Sequence, residues 1–280
     1  MPLRMSAAGQ SDTIAATAEL TPADFRRVRR IAHERAGIAI PEGKEGLVRS
    51  RVMRRLRERQ MASFNAYLDF AESERSGEEM VTLIDLLTTN KTEFFREPAH
   101  FDFLTNRIIP AVLEAGTPLR IWSAGCSTGE EPYTLSLLLH EVMPKRYDWR
   151  ILATDLSTRV VASAKAGTYS AQALEEVTSQ RRARWFVPTP DGGGTVVPEL
   201  RAPISFANLN LMSSWPMRGP FQLILCRNVM IYFDKPTVTT LVSRFHALLA
   251  PGGHLFIGHS ESLSPIEHRY RYVQPAVYAK

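Results

Sequence analysis

Phe25, Val28, Ile31 and Ala32 recur at three- and four-residue spacing, and Gly37 follows the run. That period predicts an amphipathic helix. Thr21-Pro22-Ala23-Asp24 marks its start, with a capping hydroxyl, a proline in the first turn and an acid at the positive end. Val48, Val52 and Leu56 predict a second helix over residues 45–60, which places Arg51, Arg54 and Arg55 on the opposite, solvent side. Phe64, Tyr67 and Leu68 open a third helix near Ser63, and residues 78–87 read as a fourth. Residues 20–88 are therefore expected to form a small helical domain behind a flexible tail over 1–19.

Past residue 99 the pattern changes. A helix over 101–113 leads to a short apolar run at 119–123, a helix over 133–142, a second run at 149–154 and a helix to 166. Short β-type runs alternating with helices predict an α/β domain over 99–280 built on a doubly wound parallel sheet. Between 167 and 203 the alternation breaks. Turn residues 189–194 separate strand-like pieces at 185–187 and 195–197, as in an inserted antiparallel β-subdomain. Trp185-Phe186-Val187 argues against a disordered loop there. The α/β pattern resumes at 204–207, continues through a strand at 222–226, a helix over 235–249, a Pro251-Gly252-Gly253 turn and a strand at 254–258, and ends in a strand near 272–278. Pro275 in that last strand suits a sheet edge. Residues 89–98 form a linker, polar at both ends around Phe94 and Phe95, of the kind that often lines a cleft.

Length and composition narrow the class. The 280 residues suffice for one large domain or two smaller ones, and 44% apolar residues is ordinary for a globular protein. No run approaches the ~20 apolar residues of a membrane span, and the first twenty residues lack the apolar stretch of a secretory signal. Cys126 and Cys226 give neither a disulfide framework nor metal spacing, so small reduced space-fillers in a cytoplasmic protein are expected, with no metal. The net charge of +5 is unevenly spread. Residues 44–59 hold seven basic residues against Glu45 and Glu58, a local excess of +5 on one helix.

The chemistry concentrates in Ile121-Trp122-Ser123-Ala124-Gly125-Cys126-Ser127-Thr128-Gly129-Glu130-Glu131-Pro132-Tyr133. An apolar strand, a small-residue turn and a helix start form the nucleotide-binding opening of a doubly wound sheet. Two carboxylates at that helix start would repel a pyrophosphate. They favour a ligand carrying positive charge, such as S-adenosylmethionine with its sulfonium and amino groups. Asp155, at the end of the second strand, stands where such folds hold ribose hydroxyls. Its alternative role is to cap the next helix, a job that Ser157 can do instead. Arg227 and Asn228 leave the strand expected beside the first, at the topological switch point. Arg227 has the alternative of snorkelling to solvent. His259, by itself, reads as a satisfied polar residue.

Five segments then carry a resemblance: Thr88–Glu97 (TTNKTEFFRE), Ile121–Thr134 (IWSAGCSTGEEPYT), Ala153–Ser157 (ATDLS), Leu225–Lys235 (LCRNVMIYFDK) and Pro251–Ser262 (PGGHLFIGHSES). In this order and over nearly the whole chain beyond the tail, they resemble the chemotaxis receptor methyltransferase family. The resemblance implies an S-adenosylmethionine-dependent O-methyltransferase acting on receptor glutamates, with S-adenosylhomocysteine as product. It implies that Asn90, Thr92 and Arg96 face the cofactor and that Glu131, or its neighbour Glu130, takes the amino group. Asp155 would hold the ribose, Asn210 and Leu211 frame the adenine, and Arg227 and Asn228 form the far wall. Arg96 and Tyr232 would lie nearest the transferring methyl. The basic helix, through Arg51, Arg54 and Arg55, would dock on the cytoplasmic helical bundle of a membrane-bound chemoreceptor. The inserted subdomain resembles one that in some members grips a receptor-tail peptide; the glycine-rich tip at 191–194 leaves direct contact with the receptor body equally open.

Three other classes compete. A nucleic-acid methyltransferase would use the arginine helix on phosphates, but no interleaved aromatic and basic stretch is present to stack bases. A nicotinamide-dependent oxidoreductase would need G-x-G-x-x-G and no acids at the turn. A non-catalytic module that senses the cofactor would keep the same cleft. A monomer is expected, since no exposed apolar seam stands out.

Overall fold

The computed structural model describes residues 18–280, so all but the last two residues of the expected tail lie outside the described residues. The chain divides into two units, Met1–Thr89 and Asn90–Lys280.

In the first unit, α1 (Pro22–Ala36) starts at Thr21, whose hydroxyl accepts from Asp24 N at 3.1 Å while the Asp24 carboxylate accepts from Thr21 N at 3.2 Å. The reciprocal pair satisfies amide donors that the first turn leaves free. Gly37, at φ +71°, ends the helix. Next come α2 (Glu45–Glu58), α3 (Phe64–Ser73), capped by Ser63, and α4 (Glu78–Leu87). Val28, Ile31, Val48, Val52, Leu56, Phe64 and Leu68 are buried, as their spacing predicts, and Leu83 of α4 is buried with them.

One expectation about α2 is corrected. Arg54 is exposed and pairs with Glu58 at 2.9 Å. Arg55 is instead a structural ion. Its Nε and Nη2 donate to Glu79 at 2.7 and 2.8 Å, and Glu79 is 1% exposed. Tyr67 and Arg59 donate to the same carboxylate. Burial pushes Glu79 up, but Arg55, Tyr67 and Arg59 together hold it below the usual carboxylate range. Arg51 is also tied inward, donating to the Leu87 carbonyl at 2.7 Å and to Thr89 Oγ1 at 2.7 Å. The reason is helical phase: Arg55 lies three residues after Val52 and beside Leu56, at the rim of the buried stripe rather than opposite it.

The second unit begins with α5 (Ala99–Phe103), a π-helical turn (Leu104–Ile108) and α6 (Ile109–Ala115). Then follow β1 (Leu119–Ala124), α7 (Glu130–Val142), β2 (Trp149–Asp155), α8 (Thr158–Ala166), β6 (Ile204–Asn208), β7 (Phe221–Cys226), α11 (Lys235–Leu248), β8 (Leu249–Ile257), β9 (Arg271–Gln274) and β10 (Val277–Ala279). The intervening β3 (Thr168–Tyr169), α9 (Ser179–Trp185), β4 (Phe186–Pro188), β5 (Gly194–Val196) and α10 (Pro198–Arg201) make the insertion. The main sheet has the order β6-β2-β1-β7-β8-β10-β9, parallel from β6 to β8 and antiparallel at β10 and β9. Both faces are covered. Ile121, Leu223, Leu225 and Phe256 pack with Phe101, Leu104 and Leu135, while Trp122, Ile224, Leu255 and Ile257 pack with Leu241, Val242 and Phe245. Alternate residues of each strand thus serve opposite cores, which is why the strands read as continuous apolar runs.

The insertion forms a separate antiparallel sheet of order β3-β5-β4, with β3 an addition to the expected hairpin. Its glycine-rich tip is closed: Thr189 N donates to the Gly193 carbonyl at 3.1 Å, and a Cβ on Gly193 would stand 2.2 Å from the Tyr169 carbonyl. Two details of the C-terminal reading are corrected. Pro251-Gly252-Gly253 lies within β8 as a bulge, where the register jumps from Phe221↔Leu249 to Leu223↔His254. The expected single last strand is two strands, and Pro275 sits in the turn between them, followed by Ala276 at φ +61°.

Candidate functional site

The strand order reverses between β1 and β7: from β1 the chain works outward through β2 and β6, from β7 through β8. A crevice opens at the carboxyl ends of strands where such a reversal occurs. After β1, Gly125 takes φ +97°, and a Cβ there would stand 2.4 Å from Val229 Cγ2. Gly125 N and Cys126 N donate to the Thr154 carbonyl at 2.8 and 2.9 Å, which pins the turn to β2. Ser127 N donates to Asp155 Oδ2 at 2.9 Å, and Ser127 Oγ donates to the Asn90 carbonyl at 2.9 Å. Tyr169 donates its hydroxyl to the Thr128 carbonyl at 2.8 Å. The turn is thus held from β2, from the 90–98 segment and from the inserted sheet.

The helix begins at Glu130, three residues before the expected start, so both acids stand in its first turn. Their surroundings differ. Glu130 is 6% exposed and accepts from Thr128 Oγ1 at 2.7 Å; burial pushes its carboxyl up against the pull of that hydroxyl. Glu131 accepts from Ser123 Oγ at 2.7 Å on Oε1 and from Arg227 Nη1 at 2.9 Å on Oε2, which sets it between the ends of β1 and β7. Asp155 is not the helix cap. Ser157 Oγ accepts from Val160 N, whereas Asp155 Oδ1 accepts from Ser157 N at 3.0 Å.

Arg227 does not snorkel. It is 7% exposed, and its guanidinium joins Glu131 to Glu97 Oε2, 3.1 Å from Nη2, while also donating to the Arg96 carbonyl. Glu97 Oε1 accepts from His259 N at 3.2 Å. Burial pushes Glu97 up, yet Arg227 and the His259 amide outweigh it and hold the carboxyl below its usual range. Asn228, at φ +58°, donates its N–H to Glu261 Oε2 at 3.0 Å, and Ile231 N donates to Oε1 at 3.1 Å. Tyr232 follows in a half-buried 3-10 turn, Met230–Tyr232. Asn210 and Leu211 follow β6; Leu209 N donates to the Asp155 carbonyl at 2.9 Å, and Asn210 Oδ1 accepts from Met212 N. Arg96 and Thr92 are half-buried, and Arg96 Nη1 donates to the Lys91 carbonyl at 3.0 Å. Phe94 packs edge-on to Tyr169 at 4.9 Å, and the Arg181 guanidinium lies 4.7 Å over Phe95.

The sequence reading assigned no role to Glu97, although it lies in a quoted motif. The available signal was an acid next to Arg96 in that motif; its partner, Arg227, is shown only by the fold. Glu97, His100 and His259 also bring three metal-ligating atoms within 4.8 Å of one another, but Arg227 already engages that carboxylate. Burial pushes the His100 imidazole down to about 3, and Arg227 adds to it. Burial raises both cysteine thiols well above their usual range, consistent with inert space-fillers.

The residues present fit S-adenosylmethionine. The turn packs without a side chain against Val229 at Gly125, and it carries carboxylates on both sides, Glu131 beside Ser123 and Asp155 beside Ser127. The nearby guanidinium is committed to two acids, and the acids of the first helical turn would repel a pyrophosphate.

A family model described as CheR methyltransferase, SAM binding domain, matches residues 90–279, and one described as CheR methyltransferase, all-alpha domain, matches residues 23–88. A chemotaxis protein methyltransferase of Escherichia coli is 39% identical over 267 residues, covering 93% of this chain and 91% of the relative. Chemotaxis protein methyltransferase 2 of Pseudomonas aeruginosa is 41% identical over 265 residues, covering 92% and 93%.

Proposed function

The chain belongs to the CheR methyltransferase family, and from that premise we propose that it transfers the methyl group of S-adenosylmethionine to glutamate carboxylates of chemoreceptors, giving methyl esters. The observation that carries the reading is the acid-lined, glycine-cradled turn at the switch point, within a chain that matches the family over both units. Nothing in the fold or the relatives favours a nucleic-acid substrate.

Glu131 is assigned the cofactor's ammonium and Asp155 the ribose hydroxyls, each a carboxylate acceptor held against the turn. Asn210 and Leu211 are assigned to the adenine, and Asn90, Thr92, Arg227 and Asn228 to the walls. The bound cofactor supplies an electrophilic methyl on sulfur. A substrate glutamate, with an ordinary pKa of about 4.3, is ionised at neutral pH, so the site has no need of a strong general base. Alignment and exclusion of water remain as the protein's task. Arg96 and the Tyr232 hydroxyl are assigned to orient the attacking carboxylate by positioning, since tight ion pairing would blunt the nucleophile.

The finer reading has a helical domain over 20–88, a linker over 89–98 and a catalytic domain over 99–280 with its insertion over 167–203. Arg54 is the arginine of the docking trio whose charge is most available to an acidic receptor helix; Arg51 and Arg55 contribute through partly committed guanidinium groups. A cytoplasmic monomer is part of the proposal. Among the described residues no helix is long and apolar enough to cross a membrane.

The test is incubation with methyl-tritiated S-adenosylmethionine and an unmethylated receptor cytoplasmic fragment. Glutamyl esters release volatile methanol in base. Base-stable label, or label in RNA rather than the receptor fragment, would overturn the proposal.

A further inference from the structure

Glu97 and Glu131 share one buried guanidinium. Arg227 Nη1 donates to Glu131 Oε2 at 2.9 Å, and Nη2 lies 3.1 Å from Glu97 Oε2, with the arginine side chain 3% exposed and the two carboxylates 13% and 12%. Of the further ionisable groups, His100 and the exposed His259 bring ring nitrogens within 4.8 Å of the Glu97 carboxylate, and His259 stands on the solvent side of it. Asp155 is committed to two backbone amides, Glu261 accepts from the amides of Asn228, Ile231 and Gly258, and burial keeps His100 neutral at physiological pH. The triad Glu97–Arg227–Glu131 therefore carries one net negative charge in a place largely closed to water.

Such a charge is costly unless answered by a cation. Within the site proposed above, the cation is the ammonium of the cofactor's amino-acid end. We propose that Glu97 is a positioning residue that creates this demand: by drawing on Arg227 from the far side, it keeps Glu131 from being neutralised by its own arginine. The inference rests on the assignment of S-adenosylmethionine to this crevice. With Glu97 uncharged, Arg227 and Glu131 would form a closed neutral pair, and Glu131 would lose its call for a second cation. Glu97 is held for this role by its backbone. It sits at φ +58°, beside the Arg96 carbonyl that also accepts from Arg227, and its Oε1 is fixed by His259 N.

The experiment compares two ligands by calorimetric titration of the full chain. S-adenosylhomocysteine carries the ammonium; 5′-methylthioadenosine has the same nucleoside and lacks the amino-acid end. Glu97→Gln keeps the size and an acceptor for His259 N but removes the charge. Expected is a loss of S-adenosylhomocysteine affinity of about tenfold or more, with methylthioadenosine within about twofold of wild type. Equal losses for both ligands, or none, would overturn the inference. A second variant supplies an opposite prediction. Adding Arg227→Gln to Glu97→Gln returns the net charge to that of Glu131 alone, so preference for the ammonium-bearing ligand should recover relative to the single variant. A further loss would mean that Glu97 only shapes the wall. Wild-type protein that binds neither ligand would instead remove the cofactor assignment and this inference with it, and that failure is visible before any variant is made.

Discussion

At φ +97°, with Val229 Cγ2 2.4 Å from where its Cβ would stand, Gly125 admits no side chain. Gly125→Ala is expected to cost about 1–3 kcal/mol of stability and to weaken cofactor binding; unchanged thermal unfolding and an unchanged titration would contradict the geometry. Arg96 makes a different demand, because its role is in alignment. Arg96→Ala should lower the methylation rate by about a hundredfold in single-turnover assays, while near-wild-type turnover with intact cofactor binding would remove the assignment. At this scale the sequence placed an acid pair at a turn but did not separate its members. Only the fold shows Glu130 turned to Thr128 and Glu131 turned to Ser123 and Arg227. Adjacent helical residues differ by about 100° in direction, and nothing in a local pattern fixes which of them meets a distant strand.

At the scale of elements, α2 shows how a charge run divides into surface and structure. Arg54 faces solvent, and its long-range attraction for an acidic receptor is screened beyond ~8 Å at physiological salt. Arg54→Glu should therefore slow receptor methylation, more so at low ionic strength, and leave S-adenosylhomocysteine affinity alone; a parallel fall in both would make the helix structural. Arg55→Ala is expected to act on stability instead. It strips the buried Glu79 of its bidentate partner but leaves Arg59 and Tyr67 donating, at a cost of about 1.5–3 kcal/mol, read as a lower unfolding midpoint. The start of α3 and both ends of α4 were legible because their signals, Ser63 before an apolar run among them, are local. The bulge in β8 and the β9–β10 hairpin were not, since whether Pro251–Gly253 or Pro275 breaks a strand depends on what pairs with it.

The molecule as a whole couples its site to its core through His100. The ring stacks on Phe256 at 4.9 Å, with Nδ1 3.4 Å from Glu97. Its folded pKa is depressed to about 3 from 6.5, so the unfolded chain binds the extra proton first as pH falls. The stability that neutral His100 contributes is present above pH 6.5 and is lost progressively toward pH 3. Between pH 6.5 and about 5, above the range where ordinary carboxylates titrate, the unfolding midpoint should drop with pH, and His100→Gln should reduce that slope, leaving the share of His254 and His246, which burial also pushes down. A slope unchanged in the variant would assign it to other groups.

The sequence by itself determined the α/β class, the helical character of residues 22–87, the small-residue turn between β1 and α7 and the presence of an inserted sheet. These follow from periodicity, glycine placement and capping, which act over a few residues. Tertiary structure decided which charged groups meet. Glu97 and Arg227 are 130 residues apart, Glu131 and Arg227 96, and Arg55 and Glu79 24. The pairs exist because parallel strands bring β7's end beside the α7 start that follows β1, because the 90–98 segment crosses that same edge, and because two helices pack face to face. Burial then removes the water that would otherwise leave those charges independent.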